Sequence, residues 1–303
     1  MILVTAALIL GLGAQQAVEP ERQSRAPQTD QTVPATRGTR LTVNNMAGEV
    51  NIRTWDRDSL RVQATHSART KVSVQTTPSG ITLHASGSMG PAGAVDYTIT
   101  APVWMPIKVS GTYNFVSIEG AQSEVSADTV RGDIVVKGGT GFITAKSVEG
   151  EVILEGVRGK VTASSVNEGI RITASSGEIT AETINGSIVM SRIDSRSVSA
   201  STVNGDITYD GSAVDGGRYS FTTHNGDITM AIPESSNATF SIRTYNGDFK
   251  PSLPVTGVGE ARRGKRLTYV LGNGSAEVEL ESFGGTIRLR RPGIQTAKDK
   301  EKK

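Results

Sequence analysis

An all-β fold is predicted, a right-handed parallel β-solenoid (β-helix-like) with irregular β caps at both ends. Three observations predict it. A twelve-residue phrase recurs between Val125 and Tyr209, short strand-like runs fill most of the remaining chain, and no segment sustains an apolar period of 3.6 residues. The phrase begins at Val125, Ile143, Val161, Ile179 and Val198, in steps of 18, 18, 18 and 19 residues. Its template is apolar-x-Ala-x-Ser/Thr-apolar-x-Gly-x-apolar-x-apolar. A fixed period near twenty residues built from β-like runs marks units that bury their apolar faces only by stacking.

The template extends both ways. Ile107–Val109 and Val116–Ile118 precede it by one step, and copies from Tyr219 and Phe240 follow at steps of 21. Degraded copies stand at Leu41–Ile52 and Val278–Leu289. Composition fits a thin core: aromatics are only 5% and hydrophobics 36%, too few bulky side chains for a wide globular interior. A net charge of +2 with alternating signs speaks against nucleic acid as a partner. The absence of cysteine excludes disulfides, thiolate metal sites, a cysteine nucleophile and a lipid-anchored cysteine.

In chain order, residues 1–17 read as a signal peptide. The apolar run Ile2–Gly13 is too short to span a bilayer and is followed by small residues, although a basic start is missing. Export to the periplasm, outer surface or medium is therefore expected, with no transmembrane span in the mature chain. Residues 18–39, polar with three prolines, read as a disordered linker. Residues 40–106 form an N-terminal β region or cap, closed by Pro102, Trp104 and Pro106, with Trp104 as a core plug. Residues 107–250 hold the regular coils, 251–291 a C-terminal β cap, and 292–303 a disordered charged tail.

Within a coil, Asn-Gly or its equivalent is expected at a tight corner needing positive φ. Those positions are Gly132, Gly150, Asn185, Gly186, Asn204, Gly205, Asn225, Gly226, Asn246 and Gly247. A meander of hairpins also fits the strand pattern. It would turn Val203 away from the core, yet that position is apolar in nearly every regular copy, so the solenoid is favoured.

The opening Gly48-Glu-Val-Asn-Ile-Arg-Thr-Trp-Asp56, the repeated Gly-Asp-Ile corners and the closing Phe283–Arg290 resemble a bacterial family. It comprises β-strand-repeat envelope proteins of unknown function, labelled putative adhesins. The resemblance covers residues 40–291 and implies an exported β-solenoid. It brings no catalytic residues.

No catalytic, cofactor or metal residues are assigned, and no cofactor is expected. The acids read as spread one per coil, the three histidines lack ligand spacing, and no nucleophile or phosphate motif appears. Asp206, Asp227 and Asp248 are expected in register, either as a calcium ladder or, more simply, capping turn amides. One outward column stands out: Ser126, Thr144, Thr162, Thr180, Ser199, Ser220 and Ser241, all hydroxyls at the second template position. Cross-strand Ser/Thr pairing explains such a column structurally. Charges at Asp128, Lys146, Glu182 and Arg243 break the flatness an ice-binding face requires. The expected function is a non-catalytic, adhesin-like envelope binding or structural module. Its partners are expected to be envelope polysaccharide or another envelope protein. A β-helix polysaccharide lyase or hydrolase, which needs an acid pair in one groove, is the alternative. A scaffold stacking end to end is another.

Overall fold

The computed structural model describes residues 28–258 and 266–293. The expected signal peptide, the linker up to residue 27, residues 262–265 of the basic cluster and the tail beyond Gly293 lie outside the described residues. Among the described residues there are twenty-four strands and no helix, joined in one hydrogen-bonded sheet. In the repeat region the strands pair in parallel, and each template position lies on its counterpart. Ile143 faces Val125 on one side and Val161 on the other. The second strands of the coils stack likewise, from Ile134 through Val152 to Ile170. The chain is therefore a solenoid-like stack and not a meander.

Alternation explains the core. In one coil Val161, Ala163, Ile170 and Ile172 are buried while Thr162 and Arg171 point outward. Every coil repeats this, so a narrow apolar column runs through the stack. It widens at Tyr209, Tyr219 and Phe221, whose rings pack with centroids 5.2–5.9 Å from Tyr209. The Tyr209 and Tyr219 hydroxyls donate 2.6 Å hydrogen bonds to the Ser212 and Ser195 carbonyl oxygens. The step of 19 is absorbed as a bulge, since Ser176 pairs with Asp194 but Glu178 pairs with Ser197.

Val203 corrects the argument that led to the solenoid. It is 43% exposed, and Val130, Val148 and Ile184 at the same position are exposed too. The residue turned inward at this corner is the Ser/Thr one place earlier. Ser147, Ser165, Thr183, Thr202 and Thr223 are buried. Thr202 Oγ1 donates to the Gly186 carbonyl oxygen at 2.9 Å, and Ser147, Ser165 and Thr223 make the same bond to Gly132, Gly150 and Gly205. Each hydroxyl satisfies a corner carbonyl of the neighbouring coil.

The corner glycines also serve a different need from the one expected. Gly150, Gly186, Gly205, Gly226 and Gly247 do not adopt left-handed φ; among these corner glycines Gly132 does, at 120°. What they require is space. A Cβ on Gly205 would stand well inside contact with the Gly186 carbonyl oxygen, and one on Gly226 would meet Gly205 in the same way. Positive φ is needed at the other corner, where Gly138, Gly156, Ala174 and Arg192 recur every 18 residues with φ between 50° and 86°.

Stack order departs from chain order at both ends. Strand Ala276–Ser282 lies between Arg218–Asn225 and Ala238–Thr244, parallel to both. Likewise Arg40–Trp55 lies between Ile107–Ala121 on one side and Gly80–Gly87 and Asp96–Pro102 on the other. So the degraded copies expected in the caps are internal coils. Antiparallel strands flank the outer coils: Thr70–Thr77 on Gly80–Gly87, Ser59–Thr65 on Asp96–Pro102, and Leu267–Leu271 on Ala238–Thr244. Residues Thr29–Pro34, expected in the linker, form a strand on Ser59–Thr65. Arg61 anchors it by a 2.8 Å ion pair to Asp30. Trp104 is only partly buried against the core, with Nε1 donating to Asp58 and Arg37 over its ring.

Candidate binding surface

The hydroxyl column is assembled by register alone. Ser126, Thr144, Thr162, Thr180, Ser199 and Ser220 follow one another on consecutive coils. Adjacent members are about 4.8 Å apart, the spacing between strands. Ser241 does not follow Ser220. Because the coil Ala276–Arg290 is inserted there, Glu279 lies between them, facing Ser220 on one side and Ser241 on the other.

At this interruption the column enters a groove of about 400 Å³. Its floor is two outward columns across four coils: Ser197 and Ser199, Arg218 and Ser220, Glu277 and Glu279, Thr239 and Ser241. Arg266 contributes to its lining. Arg218 pairs with Glu277 at 3.4 Å and Arg266 with Glu279, so the charges cancel within the groove. Ser241 Oγ is enclosed and has no hydrogen-bond partner. Two acids on one face of one coil correct the reading that acids are spread one per coil. Residue spacing within Glu277–Glu279 was visible in the sequence. Their placement beside Ser220 and Ser241 was not, because it depends on the inserted coil.

The aspartate column is likewise broken. Thr286 lies between Asp227 and Asp248, the Thr286 amide donating to Asp227 Oδ1 and the Ile287 amide to the Asp248 carbonyl. Asp133 and Asp206 each accept the amide of the next coil at 2.8 Å, through Glu151 and Asp227. These carboxylates act as amide caps, and Arg288 neutralises Asp227 at 2.7 Å. Among the described residues no cluster of three or more His, Asp or Glu could hold a metal ion.

Sequence reasoning also missed the exposed apolar column at the first corner. Val130, Val148, Val166, Ile184 and Val203 follow one another, joined by backbone bonds such as Glu149 N–H to Val130 O at 2.8 Å. His224, Phe283 and Tyr245 continue it, with His224 stacked on Phe283 at 4.7 Å and Tyr245 5.0 Å from Phe283. Beside it runs an asparagine ladder. Asn185, Asn204 and Asn225 each donate from Nδ2 to Oδ1 of the preceding asparagine, at 3.2, 2.9 and 2.9 Å.

Fold and surface together define the class: an all-β, parallel, solenoid-like repeat protein whose outward side chains line up in columns from coil to coil. Residues 38–290 match the family model Toastrack DUF4097, a domain of unknown function, and the chain belongs to that family. The resemblance drawn from the Gly48–Asp56 and Phe283–Arg290 phrases is borne out. The chain is similar to a putative cell adhesion protein from Clostridium sporogenes ATCC 15579. Identity is 11%, over 87% of this chain and 99% of that one, with a TM-score of 0.24. It is also similar to a putative adhesin from Parabacteroides merdae ATCC 43184. There the identity is 9%, over 86% of this chain and 95% of that one, with a TM-score of 0.47. No curated protein matches the chain. No helix among the described residues is long and apolar enough to cross a membrane.

Proposed function

We propose that the protein is an exported, non-catalytic binding module of the cell envelope, a right-handed solenoid closed by β caps, that holds an extended polysaccharide along its hydroxyl column. The observation that carries this reading is the unbroken run from Ser126 to Ser220, which opens into the groove at Ser199. An extended β-1,4-linked glycan advances by roughly one coil spacing per sugar, so neighbouring rings meet neighbouring hydroxyls. Each contact is weak, and affinity grows with the number of coils engaged. Edge strands carrying Pro34 and Pro251 cannot extend the ladder at those positions, which favours caps over end-to-end growth. The test replaces Thr144, Thr162 and Thr180 with Lys, checks the fold by circular dichroism, and measures retention on purified cell-wall glycan. Loss of retention in the variant supports the reading. No retention of the parent, or equal retention of both, refutes it.

The acid pair Glu277 and Glu279 favours a second reading, a glycan-cleaving enzyme. Against it, each carboxylate is held by an arginine, and their side chains are 76% and 46% exposed. A general acid of this chemistry needs an apolar enclosure that keeps it protonated. Reducing-end release from the same glycan, abolished by Glu277→Gln or Glu279→Gln, would establish the enzyme instead.

A further inference from the structure

We propose that the corner column running from Met46 to Tyr245 is a pairing surface for a second copy of this chain, laid antiparallel. The column contains no carboxylate, lysine or arginine. Its exposed members include Met46 at 53%, Ile184 at 46% and Phe283 at 41%. Met46 begins it at Thr112, whose hydroxyl reaches the Met46 sulfur, and Tyr245 ends it beyond Phe283.

Three features select the occupant. The first is period. A rigid ridge with one side chain about every 4.8 Å, apolar except at Thr112 and His224, is matched along its whole length by another ridge of the same spacing, and this chain supplies one. The second is the flank. Beside Val166 to His224 the asparagine amides donate to one another along the ladder, and beside Val130 and Val148 Arg131 pairs with Glu149, so these flanking groups already hold partners within the chain when the ridge is covered. The third is orientation. A parallel two-fold pair would set identical side chains tip to tip, whereas antiparallel rods can slip by half a spacing and interleave. The antiparallel two-fold falls between Val166 and Ile184. It places Met46 of one copy against Tyr245 of the other, a sulfur–aromatic contact, and it closes on itself without open growth.

The ridge is roughly 40 Å long and 10 Å wide. That buries roughly 400 Å² per copy, about half of a standard interface. The pair is accordingly weak, at the small end of specific interfaces. The hydroxyl column lies four residues away along the strand and stays uncovered on both copies.

Sedimentation of the full chain across its accessible concentration range is the first test. The parent is expected to shift from monomer to dimer, and Val166→Lys with Ile184→Lys is expected to remain monomeric with an unchanged circular dichroism spectrum. Orientation is read by disulfide trapping, which is clean because the chain has no cysteine. Val166→Cys, beside the two-fold, is expected to form a covalent dimer on oxidation, and Met46→Cys alone is not. Met46→Cys mixed with Tyr245→Cys is expected to give the mixed dimer. A parent that stays monomeric throughout, a lysine variant that dimerises as well as the parent, or Met46→Cys self-pairing as readily as Val166→Cys would each overturn the proposal.

Discussion

Thr202 Oγ1 donates a 2.9 Å hydrogen bond to the carbonyl oxygen of Gly186, one coil away. The contact recurs through the stack and ties each corner to its neighbour with a buried hydroxyl. Thr202→Val keeps the shape and removes the donor, leaving the half-buried Gly186 carbonyl without it. It is expected to cost about 1–2 kcal/mol. Thr180→Val on the outward column should stay within about 0.5 kcal/mol of the parent. Urea unfolding of the two variants measures the difference, and equal stabilities would show that the inner hydroxyl is dispensable.

The two corners can be separated by two alanines. Gly205→Ala leaves an ordinary φ but drives a Cβ into the Gly186 carbonyl, so a loss of about 3 kcal/mol or more is expected. Gly156→Ala meets nothing within 4 Å and tests only its φ of 66°, for which about 1 kcal/mol is expected. Conversely, Ala174→Gly relieves a φ of 50° and should be neutral or stabilising by up to about 1 kcal/mol. The reverse ranking of Gly205 and Gly156 in thermal melts would remove the close-approach argument.

Removal of residues 276–293 takes out an internal coil, since that segment lies between Arg218–Asn225 and Ala238–Thr244. The truncated chain is expected to lose the ordered packing of residues 238–258 as well, with hydrogen exchange there rising to the level of an unfolded segment. Protection retained at Phe240 and Ile242 would mean that their strand can dock directly on Arg218–Asn225. Deleting Thr144 to Val161, one full period, should by contrast leave a shorter folded protein, whereas deleting half of it should not fold. Equal melting temperatures for those two deletions would contradict the coil.

Tyr97 is fully buried and its hydroxyl has no partner. Burial pushes its pKa up from 10.0 to about 12. A proton is therefore held more tightly in the folded chain than in the unfolded one. Its contribution to stability is fully present below pH 10 and is lost as the pH rises to about 12, at about 1.4 kcal/mol per pH unit. Tyr97→Phe should lessen that alkaline loss and be no less stable at neutral pH, because an unpaired buried hydroxyl is removed. Urea unfolding from pH 8 to 12 gives both quantities, and an alkaline slope unchanged in the variant would contradict the first.

The repeat, its step, the inward alternation of Val161, Ala163, Ile170 and Ile172, and the outward hydroxyls were legible in the sequence. Periodicity of apolar side chains is a local property, and parallel register carries it unchanged from coil to coil. The same template also contained the Ser/Thr at its fifth position and the apolar residue at its sixth. Which of Thr202 and Val203 turns inward, however, depends on how the chain bends at the corner and on the carbonyl waiting in the neighbouring coil. The glycines were visible, but whether they answer to φ or to close approach is settled by the backbone of the next coil. The groove lay furthest from reach. Ser220, Glu279 and Ser241 meet only because a segment distant in sequence, Ala276–Arg290, hydrogen-bonds between two others. Such an insertion is decided by pairing energies between whole coils, and tertiary structure alone decided it.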